Sequence, residues 1–202
     1  MKCISAAHRH REDPNPATEG TRNEERQSQV LGEGRFVRLV RSDGWEWAER
    51  TNNSGVVVIV AITAEAQIVL AEQYRPPVDA RVLDLPMGLS GDLDGAEGED
   101  LQEAARRELL EETGYAAARL EWLGEGPTSA GLTNEVLTFF LARDCRRVGK
   151  GGGDETEDIQ VHVVALDQAD AWLERKRASG VLLDPKIFAA MYFARQHVSS
   201  GE

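Results

Sequence analysis

The run Gly55 to Thr63, GVVVIVAIT, carries no polar side chain before its last residue and is mostly β-branched. Successive side chains of a strand point to opposite faces, so a run that is apolar at every position reads as a strand buried on both faces. AQIVLAEQYR, residues 66–75, resembles its partner, and a core sheet is expected here. Upstream, RFVRLV and WEWAERT flank Ser42-Asp43-Gly44, a hairpin signal. Downstream, RVLDLPMGL reads as one short strand closed by Pro86 and Gly88, and SGDLDGAEGED as a loop. The spacing predicts a helix from Asp100 to Thr113, stopped by Gly114. ARLEWLGEG, NEVLTFFLARDC and QVHVVAL read as further strands, and GKGGGDETEDI as a flexible loop. Asp167 is expected to cap a helix through Ser179, and Asp184-Pro185 to start a last helix through Val198. These elements make an α+β layered domain.

The chain has 202 residues, suited to one domain with extra segments. Residues 1–28 lack an apolar period and read as a disordered tail. No run of about 18 apolar residues exists to span a membrane, and the N-terminus has no apolar signal-type region, so a cytoplasmic protein is expected. Cys3 and Cys145 read as plain thiols. With 35 acids against 23 bases, the net charge of −12 argues against non-specific nucleic-acid binding. It leaves room for a small anionic ligand held through a divalent cation.

The predicted helix ends in ARRELLEETGY, which gathers Glu108, Glu111 and Glu112. At about 100° per residue, Glu108 and Glu112 lie one turn apart, in the sector shared by Leu101, Ala104 and Ala105. Carboxylates at the edge of a core, near the negative end of a helix, require a cation. Arg107 is expected to pair with Glu103 and Glu111 at i,i+4, which leaves Glu108 and Glu112. Hard oxygen donors of this kind suit Mg²⁺ or Mn²⁺ and phosphate oxygens.

EDLQEAARRELLEETGY, from Glu99 to Tyr115, resembles the Nudix box, the signature of Mg²⁺-dependent hydrolases of nucleoside diphosphate derivatives. One departure is visible: ten residues separate Gly88 from Glu99, where the family has five. EQYRPP, DLPMGL, TSAGLTNE and DETEDIQVHVV are similar to segments of the ADP-ribose (ADP-sugar) pyrophosphatase branch, although Ala130 stands where that branch usually has proline. The resemblance implies a Nudix-type α/β/α sandwich with a mixed central sheet over residues 55–202, plus an N-terminal antiparallel β element over residues 29–54 for dimerisation and adenine binding.

The same resemblance implies Glu108, Glu112, the Met87 carbonyl and Glu157 as metal ligands, Glu155 as general base, and Glu111 as a water-mediated ligand or partner of Arg107. Mg²⁺, or Mn²⁺, is the implied cofactor, and a homodimer acting on a nucleoside diphosphate sugar the implied assembly. Phe36 and Trp45 would sandwich adenine, one from each subunit, with Glu46 and Arg50 nearby and Arg75 at the phosphates or ribose. Another nucleoside diphosphate derivative, such as GDP-mannose or NADH, and a non-catalytic ADP-ribose sensor are the alternative readings. His162 reads as a satisfied packing residue.

Overall fold

The computed structural model describes residues 28–51, 55–91, 98–153 and 158–199. Its centre is β4 (Gly55–Thr63), whose Val56, Val58, Val60 and Ile62 enter one core cluster while Val57, Ile59 and Ala61 enter another on the opposite face. The two-sided burial expected of this run is thus realised in strict alternation. β4 runs parallel to β10 (Val136–Arg147) and antiparallel to β5 (Gln67–Arg75), which it meets at its C-terminal end, and to β7 (Met87–Ser90), which it meets at its N-terminal end. Around this frame, β6 (Ala80–Asp84), β8 (Tyr115–Ala116), β9 (Arg119–Pro127), β11 (Gln160–Ala165) and β12 (Leu182–Leu183) complete a mixed nine-stranded sheet.

Helix α1 (Leu101–Thr113) covers one face through Ala104, Ala105 and Leu109. The other face is covered by α2 (Ala169–Ala178) and α3 (Lys186–Ser199) through Ala169, Leu173, Ile187, Ala190, Met191 and Ala194. The result is an α/β/α sandwich. No described helix is long and apolar enough to cross a membrane.

Three expectations about the elements need correction. RVLDLPMGL is two strands, because Pro86 interrupts the ladder and the chain passes from β6, paired with β5, to β7, paired with β4. Gln168, not Asp167, sits at the N-cap of α2 and makes no side-chain cap bond. Residues 149–153 are bonded to the end of α1 and are not a free linker. The cap of α1 is as expected: Asp100 accepts from the Gln102 amide at 2.8 Å.

A separate antiparallel sheet of β1 (Gln29–Glu33), β2 (Val37–Ser42) and β3 (Trp45–Arg50) carries the expected hairpin, turned at Asp43-Gly44. It docks on the loop after β9: the Ala48 amide donates to the Leu132 carbonyl at 2.9 Å, and the Glu49 carboxylate accepts from Arg38, Trp47 and Asn134. Val30, Phe36, Val37, Leu39 and Trp45 remain exposed on this sheet.

Buried in the main sheet, the Glu72 carboxylate gathers Arg81 at 2.8 Å, Lys176 at 2.6 Å and His162 at 2.9 Å. The His162 ring also packs on Trp172 with centroids 5.1 Å apart, so it is the satisfied packing residue expected of it. Burial alone would raise the Glu72 pKa, but hydrogen bonds from Lys176, Arg81 and His162 outweigh it and hold the carboxyl at about 2. Cys145 is a buried thiol, pushed up to about 12 mainly by burial.

Removal of this carboxylate leaves the Arg81 and Lys176 cations, at 30% and 23% exposure, without their common partner. Solvent screening moderates the cost, and Glu72→Ala is expected to lower stability by about 2 kcal/mol in urea unfolding at pH 7. Because the folded pKa is depressed, the contribution is complete above the ordinary value of 4.5 and is lost as pH falls toward about 2. The difference between wild type and variant therefore shrinks over that interval.

Candidate active site

Helix α1 brings Glu108 and Glu112 to its buried side, at 9% and 5% exposure, against β7. The close approach is possible because residue 88 has no side chain: a Cβ there would fall inside the Glu108 carboxyl group. The Met87 amide donates to Glu112 Oε2 at 3.1 Å, which fixes that carboxylate beside the strand. Two hard-oxygen carboxylates, one turn apart and facing a strand end, fit a divalent cation. Among the described residues, no three His, Cys, Asp or Glu side chains converge as a metal cluster. Glu155 and Glu157, the expected base and further ligand, lie outside the described residues.

Arg107 organises the surroundings. Its Nε donates to Glu99 Oε1 at 3.1 Å and its Nη2 to Glu99 Oε2 at 3.0 Å and to the Leu89 carbonyl at 2.8 Å. Its Nη1 reaches Glu108 Oε1 at 2.7 Å and Glu111 Oε2 at 3.2 Å. The expected Glu111 pair is present, but the expected freedom of Glu108 from Arg107 is not, and Glu103 lies instead 3.8 Å from Arg106. The reason is the fork of the guanidinium, whose donors serve a bidentate partner and a neighbour together.

Sequence reasoning placed Glu99 in a motif without giving it a role. It lies before the N-cap, out of reach of helical spacing, and also accepts from the Gly91 amide at 3.2 Å, closing the loop that precedes α1. The Arg107 hydrogen bonds hold the Glu99 carboxyl below its usual range, and Glu99 in turn holds Arg107 above its own.

The residues expected to meet substrate are not brought together in one group. Arg50 lines a cleft of about 640 Å³ with Arg38, Glu49, Gly55, Asn134 and Glu135, and pairs with Glu135 at 2.7 Å. Gly55 and Val58, which faces Met87 across the ladder, are three residues apart on β4, about 10 Å. Trp45 and Glu46 line a neighbouring cavity of about 400 Å³ with Trp47, Ala130 and Asn134. Trp45 is 65% exposed, and Glu46 accepts from Arg41 at 2.8 Å. Phe36, exposed with the Arg35 guanidinium 4.9 Å above its ring, lines neither cavity, nor does Arg75 at the end of β5.

Residues 53–184 match the NUDIX domain family. The chain is 35% identical over 146 residues to the methanol dehydrogenase activator of Bacillus methanolicus, covering 72% of this chain and 74% of the relative. To the ADP-ribose pyrophosphatase of Bacillus subtilis it is 34% identical over 122 residues, 60% of this chain and 63% of the relative. It is 30% identical over 177 residues to the GDP-mannose pyrophosphatase of Cronobacter sakazakii, 78% and 86% of the two chains. A crystal structure of an ADP compounds hydrolase superposes with a TM-score of 0.64 at 21% identity, over 86% of this chain and 92% of the other, and shares the fold.

The bidentate hold of Arg107 on Glu99 predicts that Arg107→Lys, which keeps the charge and loses the fork, lowers stability by about 2 kcal/mol in urea unfolding at pH 7.

Proposed function

The chain belongs to the Nudix family of pyrophosphatase hydrolases, and we propose that it hydrolyses the pyrophosphate of ADP-ribose or a related ADP-sugar, with Mg²⁺, to AMP and a sugar phosphate. The observation that carries this reading is the pair Glu108 and Glu112, buried against Met87 and Gly88 and flanked by an Arg107 already committed to Glu99. Nudix hydrolases generally use divalent metal ions, usually Mg²⁺.

Glu108, Glu112, the Met87 carbonyl and Glu157 would hold the metal, with Mn²⁺ able to replace it. Bound there, Mg²⁺ would neutralise charge on the non-bridging phosphate oxygens and polarise the attacking water. Glu155 takes the proton from that water as it attacks one phosphorus in line with the leaving oxygen. Glu111, at 3.2 Å from Arg107, is engaged in the ion pair and free to reach a water-mediated role only at its second oxygen. Arg107 keeps the Glu108 carboxylate oriented toward β7.

Adenine would stack on Trp45, with Phe36 of a second copy completing the sandwich; the exposure of both rings supports a homodimer through this sheet, whose Val30, Val37 and Leu39 are also exposed. Glu46 and Arg50 would lie near the base, and Arg75 at the phosphates or ribose. The likeness to GDP-mannose pyrophosphatases, together with Ala130 beside Trp45, favours GDP-mannose as the second reading.

Turnover of ADP-ribose, ADP-glucose, GDP-mannose and NADH, each with Mg²⁺ and with Mn²⁺, tests the substrate, and ADP-ribose is expected to be cleaved fastest. Glu112→Gln is expected to abolish turnover while the circular dichroism spectrum is retained; a near-normal rate refutes the metal assignment. Loss of one stacking ring in Trp45→Ala is expected to raise the KM for ADP-ribose roughly tenfold, or about 1.4 kcal/mol, within the about 1–3 kcal/mol of a stacked base; a change below about twofold refutes the stacking role.

A further inference from the structure

We propose that Asn134 is a specificity-determining residue, held by Glu49 with its amide oxygen toward the cavity beside Trp45, where it accepts from the 6-amino group of adenine. The inference rests on the proposed function, which stacks the base on Trp45.

Alternation along β3 puts Trp45, Trp47 and Glu49 on one face, and the register sets Arg38 of β2 opposite Glu49. The Glu49 carboxylate, at 15% exposure, divides its oxygens among three donors. Oε1 accepts from Arg38 Nε, while Oε2 accepts from Trp47 Nε1 at 3.3 Å and from Asn134 Nδ2 at 3.1 Å. A carboxylate only accepts, so it selects one orientation of the Asn134 amide, with the NH₂ toward Glu49 and Oδ1 away from it. Asn134 stands between the two cavities: it lines the cleft of about 640 Å³ together with Glu49 and the cavity of about 400 Å³ together with Trp45, whereas Glu49 lines only the first. The orientation that satisfies Glu49 therefore offers an acceptor to the cavity beside Trp45.

The loop that carries Asn134 is itself fixed. The Thr133 amide donates to the Ser129 carbonyl at 2.9 Å and the Thr128 amide to the Glu135 carbonyl at 3.2 Å, and the Thr128 and Thr133 hydroxyls lie 3.0 Å apart. In the wall of the same cavity, Ser42 is 6% exposed and its Oγ has no hydrogen-bond partner among the described residues. A buried hydroxyl without a partner costs free energy that a polar ligand can recover. Adenine presents an amino donor at position 6 beside a ring-nitrogen acceptor, which suits an amide oxygen and a hydroxyl together. Hypoxanthine has a carbonyl at position 6, and that oxygen would meet Oδ1 acceptor against acceptor.

Calorimetric titration in EDTA reads the base without metal-dependent turnover. The wild-type protein is expected to bind ADP-ribose about tenfold more tightly than IDP-ribose, its 6-oxo counterpart. In Glu49→Gln the side chain keeps one oxygen, which Arg38 retains, and turns an NH₂ toward Asn134; the Asn134 amide then reverses and shows its own NH₂ to the cavity. That variant is expected to bind IDP-ribose at least as tightly as ADP-ribose, and Asn134→Ala to bind the two within about twofold of each other. Trp45→Ala is expected to weaken both alike, because every base has a stacking face. Equal binding of the two nucleotides by the wild type, or no binding of ADP-ribose, overturns the proposal. So does an unchanged preference in Glu49→Gln, or one retained in Asn134→Ala, which would assign the amino group to Glu46. Failure of the underlying reading has a different mark: ADP-ribose is preferred over IDP-ribose and yet is not cleaved with Mg²⁺ or Mn²⁺.

Discussion

One guanidinium holds the carboxylate site in shape. Arg107 joins Glu99 from the preceding loop, Glu108 and Glu111 from its own helix, and the Leu89 carbonyl from β7. Three consecutive elements, β7, the loop after it and α1, are thereby tied at one point, and the side chain is only 17% exposed. A buried charge of this kind is stable only when its partners are complete, so the helix, the loop and the strand hold their places together. The repulsion among crowded glutamates is answered first by this cation, and the buried flank of Glu108 and Glu112 is left facing Met87 and Gly88.

The central layer of the molecule was legible in the sequence because burial on both faces leaves a local trace. The apolar run of β4 and the cap-to-stop pattern from Asp100 to Gly114 each depend on residues adjacent in the chain. What escaped depends on pairing at a distance. β6 and β7 look like one strand until their different partners are known, since Pro86 marks a break without saying where the chain goes next. The short β8 and β12, two residues each, exist only because β10 and β6 lie beside them.

The site divides along the same line. Glu108, Glu111 and Glu112 were visible as a cluster from helical spacing, and Arg107 as the partner of Glu111. That Arg107 also serves Glu108 and Glu99 depends on how a fork fits between a helix and a loop, which no periodicity expresses. On the hairpin, Trp45 was visible in the sequence, but the cavity it shares with Trp47, Ala130 and Asn134 is tertiary. The family resemblance supplied roles for these residues; the backbone bonds from Gly153 and Gly152 to the Glu111 and Glu112 carbonyls carry no side-chain signal at all.

The bond from the Gly91 amide to Glu99 changes the meaning of the long interval between Gly88 and Glu99. With Glu99 also gripped by Arg107, Gly91 and Glu99 meet at one carboxylate, so the stretch between them runs between two fixed points. Closing ten residues instead of five between fixed ends costs only about 0.6 kcal/mol of chain entropy. The extra length of the interval is therefore cheap in chain entropy, because the bond from Gly91 to Glu99 and the grip of Arg107 on Glu99 fix the two points it joins.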